Sequence, residues 1–279
     1  MKRPLLAAQH ILPKILRLAS LSIDYWLYET RFFLIHQMGG FRDATPISYF
    51  RRKEVIGMAT VAAVYTSPAI VDPIKELFTE ILPGCRLINI VDDSLIQDVI
   101  REGFVTPAVS QRLFYYYLAA RETGAQVIFN TCSSVGEVAD LARKFFDIPI
   151  VKIDESMASQ AVQTAKKIGV LATLPTTLAP TVKLVKTQAA QAGQSVSVVE
   201  GLAKGAFEAL LAKNPERHDQ LILKAAEELT NRVDAFVLAQ GSMARMEETL
   251  TKCTGKPVYS SPRSGVLAVK ATLEQMGYK

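Results

Sequence analysis

At 279 residues and 49% hydrophobic composition, the chain is long enough to bury a sizeable core in one or two domains. Its 32 Lys and Arg exceed its 27 Asp and Glu by five, but that whole surplus lies in residues 1–57, and residues 58–279 hold 23 of each sign. The body of the chain therefore has no net basic field, which argues against nucleic acid as its main partner.

Residues 1–57 differ from the rest. They hold the only tryptophan, Trp26, and two of the three histidines, His10 and His36, with no helical or alternating period. Lys14, Arg17, Asp24, Glu29 and Arg31 interrupt every apolar run, so neither a signal-peptide core nor a membrane span is predicted there. Lys53-Glu54-Val55 can be encoded by a purine-rich run like those preceding bacterial start codons, and Met58 follows immediately before the first predicted strand. The expectation is that translation starts at Met58 and that residues 1–57 are not native to the protein. The alternative is an amphipathic arm that adheres to a membrane. N-terminal sequencing of protein made from the native gene decides the first point, because a mature chain starting near Met1 would overturn it.

From residue 60 the elements follow a regular order. A strand at 61–65 runs into Thr66-Ser67-Pro68 and a helix. A second strand at 87–91 ends in Asp92-Asp93-Ser94, where one aspartate caps the next helix and the other is free to face a cleft; Asp92 is the candidate for binding the substrate. Two helices lead to a strand at 126–129, the turn Asn130-Thr131-Cys132-Ser133-Ser134, and a helix with Glu137 in its first turn. Residues 154–167 read as a crossover. The order then repeats, with strands at 168–172, 195–199 and 235–239 and the turn Gln240-Gly241-Ser242-Met243-Ala244. An offset of about 110 relates the copies; it pairs Thr66 and Ser67 with Thr176 and Thr177, and Cys132 with Ser242.

The predicted fold class is α/β: two similar three-layer domains with parallel sheets, related by a pseudo-twofold, with a cleft at the strands' carboxyl ends. The first domain is expected at 58–155, completed by residues 260–279 in a helix after Pro262, and the second at 156–259.

Three thiols, Cys85, Cys132 and Cys253, form no paired spacing. Neither a disulfide framework nor a zinc site is expected, and a reducing, cytoplasmic location is. Beyond residue 57 the only histidine is His218, which reads as a helix-surface or capping residue. No phosphate-binding or dinucleotide glycine motif is present, so chemistry without metal or cofactor is predicted.

Cys132 lies between a strand end and a helix start, where free N–H groups favour an anion and lower a thiol's pKa. It is therefore expected to react with iodoacetamide faster than Cys85 or Cys253, which read as small buried fillers. Asn130, Thr131, Ser133 and Ser134 offer short donors around it. Ser67, Thr66, Thr173, Thr176 and Thr177 sit where hydroxyls and amides can hold a carboxylate; as plain helix caps they would look the same.

The tandem α/β units, the segments Val127-Ile128-Phe129-Asn130-Thr131-Cys132-Ser133-Ser134, Ile168-Gly169-Val170-Leu171-Ala172-Thr173 and Val237-Leu238-Ala239-Gln240-Gly241-Ser242-Met243 together resemble the aspartate/glutamate/hydantoin racemase superfamily over residues 58–279. The resemblance implies a cofactor-independent isomerase that moves a proton at the carbon α to the carboxylate of an amino acid or small acid, with a cysteine on each cleft wall. It also implies a homodimer with a small carboxylate as its partner. The second cysteine is absent. The family pattern puts its position near Gln240 and the offset of 110 puts it at Ser242, while Gly241 lies between them in the binding turn. Single-cysteine relatives such as arylmalonate decarboxylases keep open a lyase acting on a malonate-like acid, and maleate isomerases keep open covalent addition of Cys132 to an unsaturated diacid; the rival class is a protein that binds small anions without turnover.

Overall fold

The structure, a computed structural model, describes residues 58–278; the expectations for residues 1–57 lie outside the described residues. The first half runs β1 (Thr60–Tyr65), α1 (Val71–Ile81), β2 (Arg86–Val91), α2 (Ser94–Glu102), α3 (Pro107–Glu122), β3 (Val127–Asn130), α4 (Gly136–Ala142) and β4 (Ile150–Lys152). Helix α5 (Glu155–Thr164) leads to β5 (Lys167–Ala172), α6 (Pro175–Gln191), β6 (Ser197–Leu202), α7 (Ala206–Leu211), α8 (Pro215–Glu227), β7 (Ala235–Leu238), α9 (Glu247–Thr254) and β8 (Val258–Tyr259). The final helix is α10 (Ser261–Gln275).

Each half forms a four-stranded sheet, in the orders β2-β1-β3-β4 and β6-β5-β7-β8, and all the pairings are parallel. Parallel strands covered on both faces read as continuous apolar runs, and β1 and β3 have that character. On one face Ala62, Val64 and Ile128 pack with Leu95, Val99, Leu113 and Val138 from α2, α3 and α4. On the other, Val61, Ala63, Tyr65 and Phe129 pack with Ile74 and Phe78 of α1 and with Val266, Val269 and Leu273 of α10. The second sheet repeats this, with Ile168, Val170 and Val237 against α5 and α6, and Leu171, Phe236 and Leu238 against α8 and α9. The result is two similar three-layer α/β units, as the repeat predicts.

Local chemistry sets the helix starts. Pro107 occupies the first turn of α3, and the Thr106 hydroxyl accepts from the Val109 N–H at 3.2 Å. Asn214 caps α8 in the same way, accepting from Arg217 N–H at 3.0 Å ahead of Pro215. His218 is fully buried rather than on the helix surface; its Nδ1 lies 2.8 Å from Asp219 and 3.1 Å from Arg245. Among the described residues no helix is long and apolar enough to cross a membrane.

Helix α10 approaches the tip of β4 so closely that only a glycine fits. A Cβ at Gly265 would stand 2.7 Å from the Ile153 carbonyl oxygen and 3.0 Å from its Cα. Backbone does not yield as a flexible side chain does, so Gly265→Ala is expected to cost about 1–3 kcal/mol. A lower denaturation midpoint with an unchanged denaturant slope is the expected readout.

Candidate active site

The strand ends of both halves converge on one cavity of about 110 Å³, lined by Cys132 and its loop on one side and by Gln240 and its loop on the other. The first sheet contributes Thr66, Ser67, Thr131, Ser133 and Ser134, and the second contributes Thr177, Gly241 and Ser242. Apolar walls come from Ile70, Ile96, Leu174 and Phe207; these four carry no local signal in the sequence, because only the fold brings them together. None of the lining residues is charged.

Backbone bonds fix the Cys132 loop. Thr131 donates its N–H to the Val64 carbonyl at 3.2 Å and its hydroxyl to the same oxygen at 3.0 Å. Asn130 stays behind the loop: it donates to the Cys132 carbonyl at 3.1 Å and accepts from the buried Tyr117 hydroxyl at 2.9 Å. Asn130 therefore shapes the loop and does not line the cavity.

The second half uses the same construction, which settles the register between the copies. The Ala239 N–H bonds to the Leu171 carbonyl at 2.9 Å, the counterpart of Thr131 on Val64. Cys132 (φ −126°, ψ 120°) and Gln240 (φ −124°, ψ 138°) each precede a 3₁₀ turn, Ser133–Val135 and Gly241–Met246. Gln240 is thus the counterpart of Cys132, Ser242 that of Ser134, and Thr173 that of Thr66. The offset of 110, which pairs Cys132 with Ser242 and Thr66 with Thr176, is two to three residues too long at these positions. Thr66 lines the cavity beside Cys132, and hydrogen bonding from it works to lower the thiol's pKa. Correspondingly, Gln240 donates to the Thr173 hydroxyl at 2.6 Å and accepts from the Thr173 N–H at 2.8 Å. Thr173 is buried and Thr176 half-buried, and both lie outside the cavity lining. Ser134 and Thr177 meet hydroxyl to hydroxyl at 3.0 Å across the two halves.

The Cys132 thiol is pushed above its ordinary value by burial, against hydrogen bonds from Thr66, the Ser134 and Val135 backbone and the Ser134 hydroxyl. The expected lowering fails because Cys132 precedes only a three-residue 3₁₀ turn and a seven-residue helix; desolvation of the thiolate is larger than so short a dipole. The resting group is therefore the neutral thiol, and comparing its labelling rate by iodoacetamide with that of the exposed Cys253 near neutral pH tests the expectation of fastest alkylation. Burial also pushes Cys85 up, to about 11.

Asp92 does not face the cleft as predicted. It accepts from the Ser94 N–H at 3.1 Å and hydroxyl at 2.6 Å and from Tyr116 at 2.6 Å, and it pairs with Arg112. Burial raises its pKa, but these bonds and the Arg112 charge outweigh it and hold the carboxyl at about 2. The folded value lies below the ordinary carboxylate value, so this stabilisation is complete above about pH 4 and is lost as pH falls towards about 2. Asp92→Asn should therefore lower stability at neutral pH by on the order of 2 kcal/mol. The gap to the parent protein, followed by chemical denaturation from pH 7 downward, should close with acid; a gap independent of pH would overturn this assignment.

A sequence profile described as Asp/Glu/Hydantoin racemase matches residues 57–269. No curated protein matches the sequence. In fold the chain is similar to a glutamate racemase from Bacillus anthracis, with TM-score 0.61 and 14% identity, covering 78% of this chain and 83% of that one. It is likewise similar to the allantoin racemase from Klebsiella pneumoniae, with TM-score 0.57 and 18% identity, covering 79% and 89%. A glycine-to-cysteine mutant of arylmalonate decarboxylase gives TM-score 0.52 and 16% identity, covering 77% and 93%. With 57–269, most of its length, matched by the family profile, the chain belongs to the Asp/Glu/hydantoin racemase family.

Proposed function

We propose that the protein is a cofactor-independent enzyme that moves a proton at a carbon next to a carboxylate, with Cys132 as its acid/base group and with chemistry confined to one face of that carbon. The observation that carries this is the asymmetry of the cavity: Cys132 is the one readily titratable side chain of the lining, and its counterpart is a glutamine tied to Thr173. A glutamine amide donates and accepts hydrogen bonds but does not titrate in the accessible pH range, so it cannot serve as the acid/base group. A neutral thiol held above its ordinary pKa serves as proton donor to a carbanion on its own face.

The substrate's carboxylate would be held by hydroxyls and backbone N–H groups, because the lining has no cation. It also has no carboxylate for an α-ammonium group. Acids bearing hydroxyl, aryl or ureido substituents therefore rank ahead of free amino acids. Decarboxylation of a malonate-like acid is the second reading, since it needs protonation from one side only.

The test is incubation in D₂O with a panel of carboxylic and amino acids, following α-deuteration and loss of CO₂. Cys132-dependent exchange or CO₂ release supports enzymatic proton transfer. Ligand binding, seen as a thermal shift, without either reaction would make the protein a small-anion binder.

A further inference from the structure

A second groove, of about 400 Å³, runs between α4 of the first half and α6 of the second. Its lining carries four carboxylates, Glu137, Asp140, Asp154 and Glu155, and three of them are answered by a cation. Asp140 accepts from Lys152 at 2.8 Å, Glu155 holds Arg143 through two bonds of 2.7 Å, and Glu137 on α4 accepts from Lys183 on α6 at 2.6 Å. Asp154 is in none of the ion pairs among the described residues. It stands just past β4, 3% exposed, and its Oδ1 is buried with no hydrogen-bond partner. Asp154 precedes α5, where an aspartate ordinarily caps by accepting from the first helix N–H groups. Its backbone is helical there (φ −102°, ψ −10°) where a capping residue is extended, and its side chain makes no cap bond. Lys152, itself 4% exposed, is already engaged by Asp140 and, at 3.6 Å, by Glu155. Burial is the largest influence on the Asp154 carboxyl and pushes it above its ordinary value, the direction expected where no counter-ion stands against it. A buried carboxyl without cap or counter-ion is costly to the fold, which points to a ligand that supplies what the chain does not.

We propose that this groove is a binding site for a small organic cation, a primary ammonium or a guanidinium, whose N–H groups bond to Asp154. The site goes beyond the Cys132 reaction and does not depend on it. One unmatched buried carboxylate calls for one positive charge, and N–H groups on that charge can fill the empty lone pairs of Oδ1 with charge-assisted bonds, which are the strong ones. A bare metal ion suits the site poorly: calcium and magnesium need several oxygen ligands, and among the described residues no group of three His, Cys, Asp or Glu is placed to hold one. An anion has no open partner among Lys152, Arg143 and Lys183, each of which is already paired. The volume lies in the range of small-molecule sites, and Leu141, Pro180 and Leu184 in the lining offer apolar surface to a short carbon chain. Because α4 and α6 belong to different halves, a bound cation bridges them beside the Lys183–Glu137 pair.

The test is calorimetry on the full chain with butylamine and agmatine, using 1-butanol and butyrate as uncharged and anionic controls. Both cations should bind with a Kd at least about tenfold below that of either control, and each should raise the melting temperature. Tetramethylammonium, which carries the charge without N–H groups, should bind no better than butanol. Asp154→Asn keeps the shape and removes the charge; it should weaken both cations at least about tenfold and leave butanol unchanged. Thr187→Trp, at an exposed position where α6 lines the groove, should weaken them by filling the space, and it decides alone should Asp154→Asn fail to fold. Failure of both cations to bind the parent protein, or unchanged affinity in a folded variant, would show that water alone meets the buried carboxyl and would overturn the proposal. Neither Asp154 nor Thr187 lines the Cys132 cavity. Absence of α-deuteration would therefore remove the proposed reaction and leave this site standing.

Discussion

Replacing Cys132 with serine should abolish solvent-proton exchange or decarboxylation, a loss of at least about 10²–10⁴-fold in kcat, while changing stability by less than about 1 kcal/mol. The two side chains have nearly the same shape, so the exchange removes no large apolar volume. What the substitution removes is acidity. A serine hydroxyl stays protonated at every pH the fold survives and is too weak an acid to quench a carbanion at a useful rate. Ligand binding should persist, because the carboxylate is held by groups other than the sulfur. Kinetics in D₂O together with a ligand-induced thermal shift measure the two effects separately. Retained turnover in the serine variant would remove Cys132 from the chemistry.

The same contrast between local pattern and three-dimensional setting explains how much of the molecule was legible in its sequence. Strands β1, β3, β5 and β7 were readable because they are buried apolar runs next to polar turns, with Val61 to Tyr65 almost wholly enclosed. Strands β4 and β8 were not, since three and two residues after Pro149 and Pro257 leave no room for a period. Edge strand β6 is only half-buried, and the apolar pattern of the sequence puts it at 195–199 rather than at Ser197–Leu202. The Cys132 turn stands out in the sequence because a cysteine between a strand and a helix is a local arrangement. The thiol's pKa is not a local property, because it is raised by burial that only the assembled fold supplies. Asp92 was misplaced for the same reason, as Arg112 and Tyr116, which hold it, lie 20 and 24 residues along the chain. Asp154 read only as the start of a crossover, and nothing in its neighbours' identities indicates that its carboxyl would go uncapped.

The register between the two halves leads to the second large effect. A family member that abstracts a proton from one face and returns it to the other needs an acid/base group on both walls. Gln240, not Ser242, stands opposite in the repeat, so Gln240→Cys should supply the absent group and Ser242→Cys should not. The parent enzyme should exchange one enantiomer of its substrate far faster than the other. Gln240→Cys should reduce that ratio by about tenfold or more, the lower end of what a positioned acid/base group contributes. The new sulfur must come within about 3 to 3.5 Å of the reacting carbon. Its immediate setting favours the design, because the Thr173 hydroxyl that now accepts from Gln240 would face the new thiol as Thr66 faces Cys132. The penalty is the Thr173 N–H, which loses its acceptor at 2.8 Å and should destabilise the fold by about 1–3 kcal/mol. Enantiomer-resolved deuterium incorporation for the parent and both variants gives the result directly. Relaxation by Ser242→Cys and not by Gln240→Cys would show that the catalytic register follows the longer offset. Rapid exchange of both enantiomers by the parent would show that the far wall already holds a working base, and the one-sided mechanism would be wrong.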